Sequence, residues 1–185
     1  MKKTLIPILV IVAAFIQSCS GPAGIDGRDG LDGKDGLNIV AQTFEVQKVN
    51  FTAANNYEYV QTFSSAKILG VQPSDAVLVY ILYDLTSTGN PIWRLLPQAI
   101  DMPRGIVMNF DYTPTDFSAF IDAPTGALKA TVGTDWTQNQ TLRVVVIPSD
   151  FTARKDAEVV DYKDYESVKA YYNLDENKIA PVKAH

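Results

Sequence analysis

Polar and apolar residues alternate along the chain from residue 38 to about residue 153 with the period of a strand, and no helical repeat intervenes. Residues 38–46 put Val40, Phe44 and Val46 on one face and Thr43 and Glu45 on the other. Residues 57–63 oppose Tyr57, Tyr59 and Phe63 to Glu58 and Thr62. Residues 76–85 are apolar almost throughout and rich in β-branched and aromatic side chains, which predicts a central strand buried on both faces. A Gly89-Asn90-Pro91 turn leads into residues 92–99, the expected hairpin partner, and Pro97 places the end of that segment at an edge or a bulge. Residues 105–112 align Ile106, Met108, Phe110 and Tyr112; weaker strands are expected at 117–122 and 127–132, and a strong one at 141–148. About eight strands separated by turns predict a mainly β fold, an antiparallel β-sandwich around one core.

The tail changes period. Tyr165, Val168 and Tyr172 fall at i, i+3 and i+7, predicting one C-terminal amphipathic helix over about 161–173. Residues 178–183 read as a short strand that Pro181 confines to an edge.

The first residues obey a different logic. Lys2 and Lys3 precede an apolar run over residues 5–16, too short for the roughly 20 residues that span a bilayer. Their order is that of a secretory signal, expected to end at residue 18. Cys19 is the single cysteine, so no intrachain disulfide can form. The run Ile16-Gln17-Ser18-Cys19 resembles the lipobox of bacterial lipoproteins, with an aliphatic residue at −3 and a small one at −1. That resemblance implies a diacylglyceryl group on the Cys19 thiol, cleavage before it, and an acylated amine, hence a membrane partner reached through lipid. Ser20 rather than Asp after the cysteine implies outer-membrane sorting.

Glycine then recurs at every third position: Gly21, Gly24, Gly27, Gly30, Gly33 and Gly36. A triple helix needs that period, because only glycine fits its axis. Pro22 is the one proline in the run, and Asp26, Asp29, Asp32 and Asp35 would repel one another across chains. Residues 19–37 therefore read as a lipidated, collagen-like tether, with a homotrimer through the triplets as the alternative. The four aspartates lack the spacing and closing Glu of an EF-hand loop, so no metal site is expected there. As coil residues 21–38 reach roughly 25 Å; as a rod they span about 55 Å.

Composition narrows the chemistry. Loss of residues 1–18 removes two of 16 basic side chains, leaving 14 against 21 acidic ones and a formal charge of −7. No basic stripe exists to neutralise phosphates, so nucleic acid is excluded as a partner. Residues 38–185 are long enough for one domain with its own core. The single histidine, His185, is the last residue, which leaves no nucleophile–imidazole pair and no His- or Cys-ligated zinc. Asp111, Asp116, Asp122 and Asp135 sit near predicted loops, where aspartates usually cap turns but where two could flank a glycosidic bond. Trp93 and Trp136 pack in a strand and over a turn, or form a sugar-stacking platform. Asn50-Phe51-Thr52 and Asn139-Gln140-Thr141 match the glycosylation sequon, which carries no meaning in a bacterial lipoprotein.

Residues 19–36 and the late strand around 137–151 resemble a group of small collagen-like lipoproteins of Bacteroidota, flavobacteria above all. The resemblance implies an envelope location and this architecture, and it brings no cofactor and no catalytic residue. The expectation is a lipid-anchored, non-enzymatic cell-envelope protein that displays its β-domain for structural, adhesive or accessory-subunit contacts with an envelope protein. A surface glycan-binding module of a polysaccharide uptake system is the alternative, and a carboxylate-dependent envelope hydrolase the second. Which face of the outer membrane is occupied stays open.

Overall fold

Among the described residues, nine strands and two short helices follow in the order β1 (Gln42–Val49), β2 (Glu58–Thr62), β3 (Ala76–Leu85), β4 (Pro91–Leu95), β5 (Gln98–Asp101), β6 (Ile106–Tyr112), β7 (Asp116–Asp122), α1 (Thr134–Thr137), β8 (Gln140–Ile147), α2 (Tyr165–Tyr172) and β9 (Ala180–Lys183). The structure, a computed structural model, describes residues 41–124, 129–149 and 160–184. The expected signal peptide, Cys19, the six glycines of the expected tether and His185 lie outside the described residues. The strands form a five-stranded sheet, β4-β3-β8-β1-β9, and a four-stranded sheet, β2-β7-β6-β5. Every described pairing is antiparallel except β1 with β9. The protein is mainly β, as the alternation predicts.

The two sheets share one core. Phe44, Val46, Val77, Val79, Ile81, Leu142, Val144 and Val146 of the first sheet meet Ile106, Met108, Phe117, Ala119 and Ile121 of the second. Phe44 on β1 approaches Phe117 on β7 edge-on, with ring centroids 6.0 Å apart, and Phe63 packs against both at 6.4 and 6.5 Å. Each large side chain so buried stabilises the fold by roughly 1.5–3 kcal/mol. The strand at 76–85 is central as expected: β3 lies between β4 and β8, with Val77, Val79 and Ile81 on the core side and Tyr80 buried on the other.

A second, smaller core covers the outer face of the five-stranded sheet. Tyr80, Val145 and Ile147 there meet Tyr165, Val168 and Tyr172 of α2 and Leu174 just after it. The helix period is borne out, but α2 begins at Tyr165 rather than at residue 161. Asp164 fixes that start, because its carboxylate accepts the Glu166 N–H at 3.1 Å. Asn173, left-handed at φ 51°, closes the other end.

Two expectations are corrected, and a third is refined. Residues 127–132 form no strand in their described part: Lys129–Thr131 is a 3-10 turn leading into α1. The strands before and after it have no free side, since β7 lies between β2 and β6 and β8 between β3 and β1. Residues 92–99 are not one strand but two. The chain leaves the first sheet after Leu95 and enters the second at Gln98, because Pro97 has no N–H to continue a ladder. The tail strand is present at an edge as expected, yet it runs parallel to β1, pairing Phe44 with Ala180 and Val46 with Val182.

Candidate functional site

At one end of the shared core, β3 and α1 enclose a cleft of about 340 Å³, lined by Leu82, Tyr83, Asp84, Asp135, Trp136 and Gln140. Its position follows from a bulge. Leu82 pairs with Trp93 and Asp84 with Ile92, so Tyr83 is an extra residue on β3 with no opposite number on β4. By parity Tyr83 follows Val77, Val79 and Ile81, but exposure rises from 1% at Ile81 to 42% at Tyr83. The strand has run past the core into solvent, and its last aromatic ring becomes a wall.

Trp136 supplies the facing wall. It is half-buried against the main core, and its ring centroid lies 5.9 Å from that of Tyr83 at a 49° tilt, a corner rather than a stack. The Arg94 guanidinium from β4 sits 3.3 Å over the Tyr83 centroid and fixes that ring, a contact worth about 0.5–1 kcal/mol. On the rim, Asp84 Oδ1 accepts the Leu85 N–H at 2.7 Å. Among the described residues neither Asp84 nor Asp135 has a cation within 4 Å. The floor is Gln140, 8% exposed, whose amide nitrogen donates to the carbonyls of Asp135 at 2.9 Å and Gln138 at 2.7 Å.

Of the four carboxylates expected near loops, only Asp135 belongs to this cleft. Asp111 is exposed on β6 and Asp122 at the end of β7. Asp116 accepts the Thr113 hydroxyl at 2.6 Å and caps its turn. The two tryptophans do not share a platform. Trp93 lies half-buried in the second core, 6.1 Å from Tyr165, while Trp136 is in the cleft. The sequon asparagines meet each other, Asn50 Oδ1 accepting the Asn139 N–H at 2.9 Å. Tyr83, Asp84 and Gln140 were not singled out from the sequence. The one hint was the Tyr83-Asp84 pair at the end of an otherwise apolar strand.

The buried cation Arg143, with a side chain 7% exposed, has a different job. It lies on the outer face of β8, under the C-terminal segment. Its guanidinium donates to Glu45 Oε1 at 2.6 and 3.0 Å and to Glu176 Oε1 at 2.8 Å. It also lies 4.1 Å from the Trp93 ring centroid and 4.5 Å from that of Tyr165. Burial alone would lower the arginine's pKa, but the hydrogen bonds to Glu45 and Glu176 reverse that and hold it above its usual value. Glu176 is pushed up by burial and pulled further down by Lys169 and Arg143, so its carboxyl sits below the ordinary carboxylate range. This cluster fastens the tail to the sheet and offers no open face to a ligand.

A second depression of about 690 Å³ runs between the start of β1 and the turn after α2. Its charged groups, Asp175 and Lys178, are paired with each other at 3.3 Å. Among the described residues no group of three or more His, Cys, Asp or Glu side chains is placed to hold a metal ion. No helix among them is long and apolar enough to cross a membrane. Comparison with protein-family models, with curated proteins and with solved structures gives no match.

Proposed function

We propose that the two sheets form a β-sandwich held at the outer membrane by lipid on Cys19 and displayed on the Gly-x-y spacer. Its role is non-catalytic: structural, adhesive, or that of an accessory subunit to an envelope complex. The observation that carries this reading is the run Ile16-Gln17-Ser18-Cys19 at the end of a signal-like segment, followed at once by six glycine triplets. Two acyl chains suffice for stable anchoring, and a spacer of either length lifts the domain clear of the headgroups. The test is fractionation: Cys19→Ser should move the protein from the membrane pellet to the soluble fraction. A variant that stays in the membrane overturns the anchor.

A second reading, a surface glycan-binding module, is favoured by the Tyr83–Trp136 corner. Aromatic walls with a few placed polar groups are the usual make-up of small-molecule sites, and about 340 Å³ lies at the small end of their ~300–1,000 Å³ range. Binding of any envelope oligosaccharide by the purified protein supports this reading, and failure to bind any sinks it.

A further inference from the structure

We infer that the cleft between the end of β3 and α1 is a subsite for a neutral pyranose and discriminates against acidic sugars. The inference rests on the glycan-binding reading and adds the class of sugar and the groups that select it. The argument turns on which hydrogen-bonding groups remain unspent. Both donors of the buried Gln140 amide are committed to backbone carbonyls, at 2.9 and 2.7 Å, an arrangement that only the nitrogen can make. Its Oε1 takes no part in those two contacts and keeps its capacity to accept. Asp84 has one carboxylate oxygen spent on the Leu85 N–H and the other open. Asp135 accepts no hydrogen bond among the described residues. The groups of Asp84, Asp135 and Gln140 left to bind a ligand are thus acceptors; they outnumber the two lining donors, the Tyr83 hydroxyl and the Trp136 indole N–H, and favour a ligand rich in donors.

Sugar hydroxyls meet that requirement. Carboxylates, sulfates and phosphates bring acceptors and negative charge toward Asp84 and Asp135, whose two charges outweigh the single one of Arg94, and are repelled. An ammonium group also donates, but Arg94 already occupies the face of Tyr83 where a cation would gain most, and it repels a second positive charge. A neutral pyranose satisfies both constraints. Its apolar C–H face lies against an aromatic ring while its hydroxyls reach the three acceptors. The walls are set in advance, Tyr83 by Arg94 and Trp136 by the core, so little side-chain freedom is lost on binding.

The test uses the full mature lipoprotein in a detergent without a sugar headgroup. Maltohexaose, cellohexaose, laminarihexaose and mannohexaose serve as neutral probes, hexagalacturonate as the acidic one and a chitosan hexamer as the basic one. Binding is followed by saturation-transfer NMR and tryptophan fluorescence. The expected result is saturable binding of at least one neutral hexasaccharide and none of hexagalacturonate. Tyr83→Ala, Asp84→Ala and Asp135→Ala should each weaken it about tenfold or more, the equivalent of ~1.4 kcal/mol. All three residues are exposed, so thermal unfolding should stay within a few degrees, and Asp111→Ala on β6 should leave binding unchanged. Neutral binding that survives all three cleft variants overturns the site while leaving the glycan reading intact. Binding of only the acidic or only the basic hexamer overturns the sugar class and again leaves that reading intact. No binding of any sugar overturns both, and release of new reducing ends overturns the non-catalytic role.

Discussion

Arg143→Ala should be among the most damaging single substitutions outside the main core, and the size of the loss can be worked out. The change removes one cation from between Glu45 and Glu176 and from the faces of Trp93 and Tyr165. Breaking a buried pair from one side costs about 3–5 kcal/mol, because the remaining charge is left without a partner. Glu176, 39% exposed, recovers much of its hydration, whereas Glu45 at 16% recovers little. The aromatic contacts add about 0.5–1 kcal/mol each. A total near 3 kcal/mol is therefore expected, a large share of the ~5–15 kcal/mol that holds a domain together. Urea unfolding of residues 20–185, followed by tryptophan fluorescence, should show the midpoint falling by ~1.5 M for a slope near 2 kcal/mol/M. The mechanism is orphaned charge rather than lost packing, so Arg143→Met combined with Glu45→Gln and Glu176→Gln should recover most of the loss. If the triple variant is as unstable as Arg143→Ala, or if Arg143→Ala costs under ~1 kcal/mol, the reasoning fails.

Other perturbations probe other levels. Val79→Asp puts an uncompensated carboxylate into the shared core and should leave no folded, soluble protein, as seen by circular dichroism. Because the folded-state pKa of Glu176 lies below its ordinary 4.5, its contribution is fully present above that pH and is lost as pH falls through the lowered value. Glu176→Gln should therefore flatten the dependence of the unfolding midpoint on pH below 4.5, and an unchanged acid limb would contradict that assignment. Light scattering on residues 20–185 beside residues 37–185 should give monomers for both if the triplets are a tether. A trimer for the longer chain alone would make them an assembly device, with avidity to follow.

Much of the fold was readable because burial leaves a period in the sequence. β6 alternates cleanly, β8 and β3 are apolar on both faces over most of their length, and α2 shows its three core residues at helical spacing. Boundaries and partners were less readable, since they depend on distant residues. Nothing local to 127–132 says that its chain neighbours β7 and β8 are already paired on both sides. Nothing local to 180–183 says that it will lie parallel to β1. The cleft was the least visible, because the Tyr83 bulge exists only relative to β4, and Trp136 and Asp135 join it from 52 to 53 residues along the chain. Side chains named from loop position alone, Asp111, Asp116 and Asp122, were dispersed by the same topology.

β1 bonds to β8 on one side and to β9 on the other, and it is the first of the described strands. If lipid on Cys19 holds the chain as proposed, the protein is pulled through its N-terminus whenever a bound neighbour is dragged by flow. Tension that reaches the domain from its N-terminal side meets β1 first among the described strands, and the ladders to β8 and β9 both hold that strand. Resistance to forced unfolding is set by the rate at which that arrangement slips, not by equilibrium stability. The parallel edge strand contributed by the tail thus acts as a second clamp on the strand that bears the strain.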